Sequence, residues 1–254
     1  MKTITSVKNE YIIKLQKLSN KKERISQQLF IVEGLHLVEE SKDRLVAVLS
    51  TDEKLLKNYS CDTYLVTEEI IKKLSNTVTP QNILGVVRML NHDIKLLDSI
   101  IKNKNVKILM LDNINDPGNL GTIIRTSAGL GMSAIVMSED TVDLYNDKVL
   151  RSTQGSLYKL PIIKADLENV IKLFKKNNIT CYGTSLRNAK SIHEVKKSNK
   201  FVVIVGNEAN GVRENILSLT DCNIKLPMKH NVESLNVSIA ASIIMYEFIR
   251  EELF

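Results

Sequence analysis

Three polar, glycine-bearing segments hold the side chains most able to do chemistry: DNINDPGNLGTIIRTSAG at 112–129, GNEANGVRE at 206–214 and PMKHNVESLNVS at 227–238. Phosphate chemistry is the first candidate. Gly206 and Gly211 have the glycine spacing of a P-loop, but Val212 and Arg213 stand where Lys and Ser/Thr would hold phosphate and Mg²⁺. Gly129-Leu-Gly131 opens a G-x-G-x-x-A pattern at the end of a helix and before a strand, the reverse of the dinucleotide-binding context. There is no H-E-x-x-H, no G-x-S-x-G and no paired His/Cys spacing. His36, His92, His193 and His230 are scattered and read as surface or turn histidines, so no metal site is expected. Asn119, after Asp-Pro-Gly, and Ser234, ahead of an apolar run, are each able to cap a helix. Glu208 is able to act as a charge at a helix N-terminus.

These segments need elements to position them. Beyond residue 105, apolar runs at 106–111, 134–137, 179–183, 201–205 and 223–226 alternate with helical stretches at 120–130, 167–177 and 212–218. That alternation predicts a parallel sheet covered on both faces. The three segments follow the runs at 106–111, 201–205 and 223–226, and the carboxyl ends of parallel strands are where ligands bind. A last helix is expected over about 235–252. Its two apolar ladders, Leu235–Ile239–Ile243 and Ala240–Ile244–Phe248, predict burial on more than one side. The first ninety residues read as a small α/β unit. It has a helix at 8–18, a strand ending at Gly34, a helix at 35–41, an apolar run at 45–49, a helix starting after Thr67 and a strand-like stretch at 81–90. The stretch 93–105, polar at both ends with a helical middle, reads as a linker between a domain at 1–92 and one at 106–254, or as an entry helix to the second.

Composition narrows the class. Of 254 residues, 43% are hydrophobic and 25% charged, ordinary for a globular chain. No run of eighteen apolar residues is present, and the polar N-terminus lacks the apolar core of a secretory signal, so no membrane span and no export are expected. Cys61, Cys181 and Cys222 form neither a disulfide framework nor a zinc pattern, and a reduced, cytoplasmic setting is expected. Residues 1–24 carry seven basic side chains against Glu10 and Glu23, most of the net charge of +6. A basic end suggests a polyanionic partner such as nucleic acid, although charge alone leaves a lysine-rich solvated face equally open. With 5% aromatic residues and no Trp, base-stacking platforms are sparse.

Taken in order, the segments resemble the SpoU/TrmH family of RNA ribose 2′-O-methyltransferases, of the SPOUT class. The matching residues are Asn119-Leu-Gly121-Thr-Ile-Ile-Arg125, Ile204-Val-Gly206-Asn207-Glu208-Ala-Asn-Gly211, Leu226-Pro227-Met228 and Glu233-Ser234-Leu235-Asn236-Val237-Ser238. Arg24, Phe30-Ile-Val-Glu33-Gly34 and Val38 resemble the family's ribosomal-protein-like substrate-binding domain. The resemblance implies an α/β fold: a small N-terminal RNA-binding domain and a C-terminal parallel-sheet domain with a deep trefoil knot, paired as a homodimer through that domain.

It also implies S-adenosylmethionine as cofactor and RNA, ribosomal RNA in particular, as substrate. Asn119, Arg125, Glu208, Ser234 and Asn236 then become the catalytic set. Arg125 is placed on the ribose and its phosphate, since a guanidinium forks phosphate and does not act as a base. Asn119 and Glu208 orient Arg125 or the ribose. Thr184, Gly206, Leu226, Met228 and Leu235 line the cofactor pocket, with Gly206 allowing close approach. Lys14, Lys17, Lys21 and Arg24 face RNA. One departure is His230, where many relatives have glycine. A transfer-RNA substrate, or a non-catalytic RNA-binding protein on the same scaffold, are the alternative readings.

Overall fold

The computed structural model describes residues 1–229 and 234–252. Its contacts divide the chain into two compact units, Met1–Leu90 with Tyr145–Tyr158, and Asn91–Leu144 with Lys159–Phe254.

The first unit holds strands β1 (Lys2–Ile4), β2 (Leu29–Glu33), β3 (Leu45–Ser50), β4 (Asp62–Val66) and β5 (Ile83–Arg88) in the order β1-β4-β3-β5-β2. β1 and β3 run parallel to β4, while β5 is antiparallel to both β3 and β2. The helix Glu10–Gln16 is capped by Asn9, whose side chain accepts from Tyr11 N. Its apolar face contributes Ile12 and Leu15 to a core with Leu49, Val66, Ile70 and Leu84. Lys14, Lys17 and Lys21 are exposed. Arg24 departs from the expected basic set. It is 8% exposed, and its Nη1 donates to Leu18 O at 2.8 Å and Ser19 O at 2.7 Å. Those carbonyls end a helical turn, so the guanidinium closes a helix end from within the unit.

Residues 145–158, expected within the domain at 106–254, pack with this first unit. The reason is that their large side chains find partners there. The Tyr145 ring lies 4.6 Å from that of Phe30, and its hydroxyl accepts from Leu90 N at 2.7 Å. The Tyr158 hydroxyl bonds Ser41 Oγ at 2.7 Å. Gly155 has φ +81°, and a Cβ there would lie 2.5 Å from Glu40 Cγ, so only glycine fits.

The second unit is built on β6 (Val106–Asp112), β7 (Ala134–Met137), β8 (Ile162–Lys164), β9 (Thr180–Thr184), β10 (Lys190–Ser191), β11 (Lys200–Gly206) and β12 (Cys222–Lys225). All neighbours are parallel, in the order β10-β12-β9-β11-β6-β7-β8. The runs read as strands become β6, β7, β9, β11 and β12. The three-residue β8 and two-residue β10 are too short to carry a pattern. The helix Leu167–Lys176 buries Leu167, Val170, Ile171 and Phe174, a single helical stripe, and is capped by Asp166. The stretch 93–105, read as a linker or an entry helix, sends Leu97, Ile100 and Ile101 into this unit's core. Their i, i+3, i+4 spacing makes one apolar helical face.

The last helix, Val237–Ile249, buries Ala241, Ile244, Met245, Phe248 and Ile249 against the helix Pro117–Gly129 and β11. Its other expected ladder is not covered: Ile239 is 50% exposed and Ile243 43%. One stripe suffices to seat the helix within the chain, and the second faces outward. Among the described residues no helix is long and apolar enough to cross a membrane.

Tyr145→Ala should destabilise the first unit although residue 145 is far from it in sequence. Losing a buried aromatic side chain costs about 3 kcal/mol. Amide exchange in β2 and β5 should quicken roughly a hundredfold if it proceeds through global opening of that unit. Unchanged exchange there would show that residues 145–158 contribute nothing to it.

Candidate active site

Parallel pairing places the ends of β12, β9, β11 and β6 side by side. Ile224 is opposite Thr184, Ile204 opposite Gly183, and Gly206 opposite Asp112. The segments leaving these strands therefore meet along one edge of the sheet.

The turn after β11 folds back on its own strand. Asn207 and Gly211 exchange backbone hydrogen bonds at 3.0 and 2.9 Å, with Gly211 at φ +71°. A Cβ on Gly206 would lie 2.1 Å from Gly211 C and Val212 N. The close approach expected of Gly206 is thus made by the chain's own backbone. Asn207 Nδ2 donates to Asn113 O at 2.9 Å, which ties this turn to the loop after β6.

The same two loops are joined further along by Glu208. Its carboxylate accepts from Asn115 N at 3.3 Å, Asp116 N at 3.2 Å and Asn119 Nδ2 at 3.0 Å. Helix Pro117–Gly129 starts here, capped by Asp116, whose Oδ1 accepts from Asn119 N at 2.8 Å. Asp116 rather than Asn119 is the cap, because Pro117 sits at the first helical position. Partial burial works against ionisation of Glu208. The hydrogen bonds from Asn119 and from the backbone of Glu208, Asp116 and Asn115 outweigh it and hold the carboxyl below the usual glutamate range.

A carboxylate can only accept, and this orients the amides beyond it. With Nδ2 of Asn119 turned to Glu208, its Oδ1 faces Asn236 and accepts from Nδ2 of that residue at 2.9 Å. Asn236 Oδ1 is then left to cap the last helix, accepting from Ser238 N at 2.9 Å and Ser238 Oγ at 2.6 Å. Asn236, not Ser234, is that helix's cap; Ser234 lies exposed two residues earlier.

On the other side of the loop, Asp112 is fully buried. Its Oδ2 accepts from Arg213 N at 2.8 Å, and Oδ1 is 2.5 Å from Arg213 Nη2 in an ion pair outside hydrogen-bond alignment. Arg213 Nη1 also reaches Asp140 at 3.3 Å. A buried carboxylate needs such a partner. Asp112, Asn113, Asn207 and Arg213 were not among the expected site residues. The signal for Asp112 is a carboxylate that closes the apolar run Ile108–Leu111.

Of the expected catalytic set, the structure joins Asn119, Glu208 and Asn236. Arg125 is exposed on the same helix as Asn119, and among the described residues no hydrogen bond or ion pair to it is found. Glu208 and Asn119 therefore hold each other and not Arg125. Of the expected cofactor residues, Thr184 ends β9 and Leu226 follows the neighbouring β12, Leu226 and Met228 are half-buried, and Leu235 is 36% exposed. Thr184 Oγ1 donates to Ile204 O at 2.9 Å. Half-buried Leu226 and Met228 thus lie in the segment that leaves β12. Glu233 and His230 lie outside the described residues.

Asn119→Ala removes a donor from Glu208 and the acceptor of Asn236 together. The carboxyl of Glu208 should then titrate nearer the ordinary glutamate value of about 4.3. In the unaltered protein its contribution to stability is complete above that value and lost as pH falls through the lower native one. Carboxyl titration by NMR checks this, and an unmoved midpoint in the variant would exclude the contact.

Comparison with known proteins gives these residues a family. Residues 107–246 match the SpoU rRNA Methylase family, and residues 9–85 match the MRM3-like substrate binding domain. The 23S rRNA (guanosine(2553)-2′-O)-methyltransferase RlmP of Bacillus subtilis (strain 168) is 36% identical over 252 residues, covering 97% of this chain and 98% of that protein. An uncharacterized tRNA/rRNA methyltransferase of Synechocystis is 31% identical over 263 residues, covering 98% and 94%. Among solved structures, an AdoMet-bound rRNA methyltransferase from Sinorhizobium meliloti is similar at a TM-score of 0.88 and 26% identity, over 98% of this chain and 97% of that one. The chain belongs to the SpoU rRNA methylase family.

Proposed function

We propose that this protein transfers the methyl group of S-adenosylmethionine to a ribose 2′-hydroxyl of 23S ribosomal RNA. The observation that carries this reading is the hydrogen-bonded series Asn236–Asn119–Glu208 at the strand ends, with half-buried Leu226 and Met228 in the segment that leaves β12. The cofactor, when bound, supplies a methyl carbon on a positively charged sulfur. Leu226 and Met228 would hold its apolar parts, with Thr184, Gly206 and Leu235 around them. We take this pocket to be formed where the C-terminal part of the chain is knotted.

The reaction needs oxygen, methyl and sulfur in line, and alignment supplies much of the acceleration. Asn119 and Asn236 have their amides fixed by Glu208 and by the helix cap, so this wall of the site is rigid before substrate arrives. Glu208 is held ionised by donors, which suits an anchor better than a base. Arg125, exposed and free of carboxylates among the described residues, is available to fork the phosphate beside the reacting ribose and to ease ionisation of its hydroxyl. Ser234 stands near the start of the helix that Asn236 caps, on the substrate side in this reading.

RNA would be held by the first unit through Lys14, Lys17 and Lys21, all exposed. The outward stripe of the last helix, Ile239, Ile243 and Tyr246, would pair two copies of the chain. Three free thiols suit a reducing cytoplasm.

Arg125→Ala should leave S-adenosylmethionine affinity unchanged by calorimetry and lower single-turnover transfer by roughly a hundredfold or more, the worth of a desolvated bidentate contact. Arg125→Lys should restore little, because an ammonium lacks the planar fork. Full turnover in the alanine variant would remove Arg125 from the mechanism. Mapping of 2′-O-methyl groups in 23S rRNA, with and without the gene, tests the substrate.

Reversing the charge of Lys14, Lys17 and Lys21 should weaken RNA binding and flatten its salt dependence without touching cofactor affinity. Equal affinity in both proteins would make these lysines a solvated face. Ile239→Asp with Ile243→Asp should sediment as a monomer where the unaltered chain is a dimer. A monomer in both cases would overturn the pairing.

A further inference from the structure

Arg213 is exposed and lies five residues after Glu208. An exposed arginine on a protein that acts on RNA is ordinarily a phosphate contact. Both arms of this guanidinium, however, are engaged by carboxylates. Nη2 is ion-paired with Asp112 Oδ1 at 2.5 Å, and Nη1 donates to Asp140 Oδ2 at 3.3 Å. The main chain of Arg213 is fixed as well. Its N donates to Asp112 Oδ2 at 2.8 Å, and its O accepts from Ile216 N at 3.0 Å and Leu217 N at 2.9 Å.

The two carboxylates belong to two other loops. Asp112 ends β6 and opens the loop that leads to Asn119, and Asp140 lies in the loop after β7. With the turn after β11, these loops leave three strands that are neighbours in the order β11-β6-β7. The middle loop takes its shape from the outer two. Asn113, at φ +58°, donates its N to Ser138 Oγ at 2.9 Å and accepts at its O from Asn207 Nδ2. Ile114 O accepts from Val142 N at 2.9 Å. Asn115 N and Asp116 N donate to Glu208 at 3.3 and 3.2 Å. Each of these bonds goes to a flanking loop, so the middle loop keeps its place only while its neighbours keep theirs. Glu208 is itself exposed, so burial does not fix it; the turn that carries it does.

We propose that Arg213 is a positioning residue for methyl transfer. By joining Asp112 and Asp140 it keeps three loops at the spacing at which Glu208 orients Asn119 and Asn236. This rests on the methyltransferase reading and deepens it. Arg213 acts through Glu208 and meets neither RNA nor cofactor. One group serves two carboxylates here, which the fork of a guanidinium can do and a point-like ammonium does poorly. With two aspartates beside it the local charge is net negative, so a phosphate gains little by approaching.

Asp112→Asn combined with Arg213→Gln removes one charge of each sign. It leaves no unpaired charge buried and the net charge unaltered. With a 23S rRNA transcript and both ligands saturating, this full-length variant should transfer methyl about tenfold more slowly or worse, the scale of a small misplacement at a reacting centre. Transcript affinity and its salt dependence should be unchanged. The Glu208 carboxyl, followed by NMR, should titrate higher, towards the ordinary value of about 4.3, as its donors draw away. Arg213→Lys, which keeps the charge, should be slowed nearly as much. Asp140→Asn alters an exposed group, keeps the buried pair and should slow transfer about threefold, the scale of an exposed ion pair. An unaltered Glu208 midpoint or an unaltered rate in the folded double variant would overturn the proposal, and so would an unaltered rate in Asp140→Asn. Weaker transcript binding with a flatter salt dependence, at an unaltered saturated rate, would make Arg213 a phosphate contact instead. Failure of the unaltered protein to methylate RNA would overturn the reading beneath, and the Glu208 titration would still decide whether Arg213 positions that carboxylate.

Discussion

Glu208 places one negative charge at the seam between two loops that are about ninety residues apart in sequence. Both loops leave neighbouring parallel strands, where the sheet ladder ends and backbone N–H groups lose their partners. The carboxylate supplies acceptors for two of them, Asn115 N and Asp116 N, next to the start of a helix whose N-terminal end favours negative charge. Its remaining capacity turns the Asn119 amide, which turns the Asn236 amide, which caps the last helix. An acceptor-only group at one end thus sets the direction of every hydrogen bond in the series. A neutral or misoriented group at 208 would leave the buried Asn119 amide without the acceptor that orients it.

The Asp112–Arg213 pair holds the same two loops from the opposite side. Asp112 is sealed beneath the loop, so its charge must be met, and Arg213 meets it with a backbone N–H and its guanidinium. Between the two anchors, Asn207 bonds the carbonyl of Asn113. The charges at these loops are therefore matched, Glu208 by amide and backbone donors and Asp112 and Asp140 by Arg213, while Arg125 stands exposed on the helix that Asp116 caps.

The first unit completes itself with residues 145–158, taken from the middle of the segment that builds the second. The chain passes between the units at 90, 144 and 158, so the first unit is not simply an N-terminal appendage. Tyr145, Gly155 and Tyr158 each have a specific partner in the first unit, at Phe30, Glu40 and Ser41. Loss of any of these would be felt in a unit whose own sequence is unchanged.

Local pattern was enough to read much of this protein. The apolar runs of the parallel sheet, the Leu167–Phe174 stripe and the order of the three glycine-bearing segments are all properties of short windows, and the strands and the meeting of the segments followed from them. Motif resemblance also named Asn119, Glu208 and Asn236 without their contacts. Pattern failed where burial depends on what lies across space. Arg24 looks like its neighbouring lysines, yet two carbonyls turn it inward. Ile239 and Ile244 look equally apolar, and only packing decides that one faces out. Residues 145–158 carry no mark of the unit they join. Asp112 and Arg213 are a hundred residues apart, and nothing short of strand order could pair them. A sequence states which side chains must be buried or bonded. The partner that satisfies each is chosen by the tertiary fold, because a hydrogen bond or an ion pair depends on distance in space and not on distance along the chain.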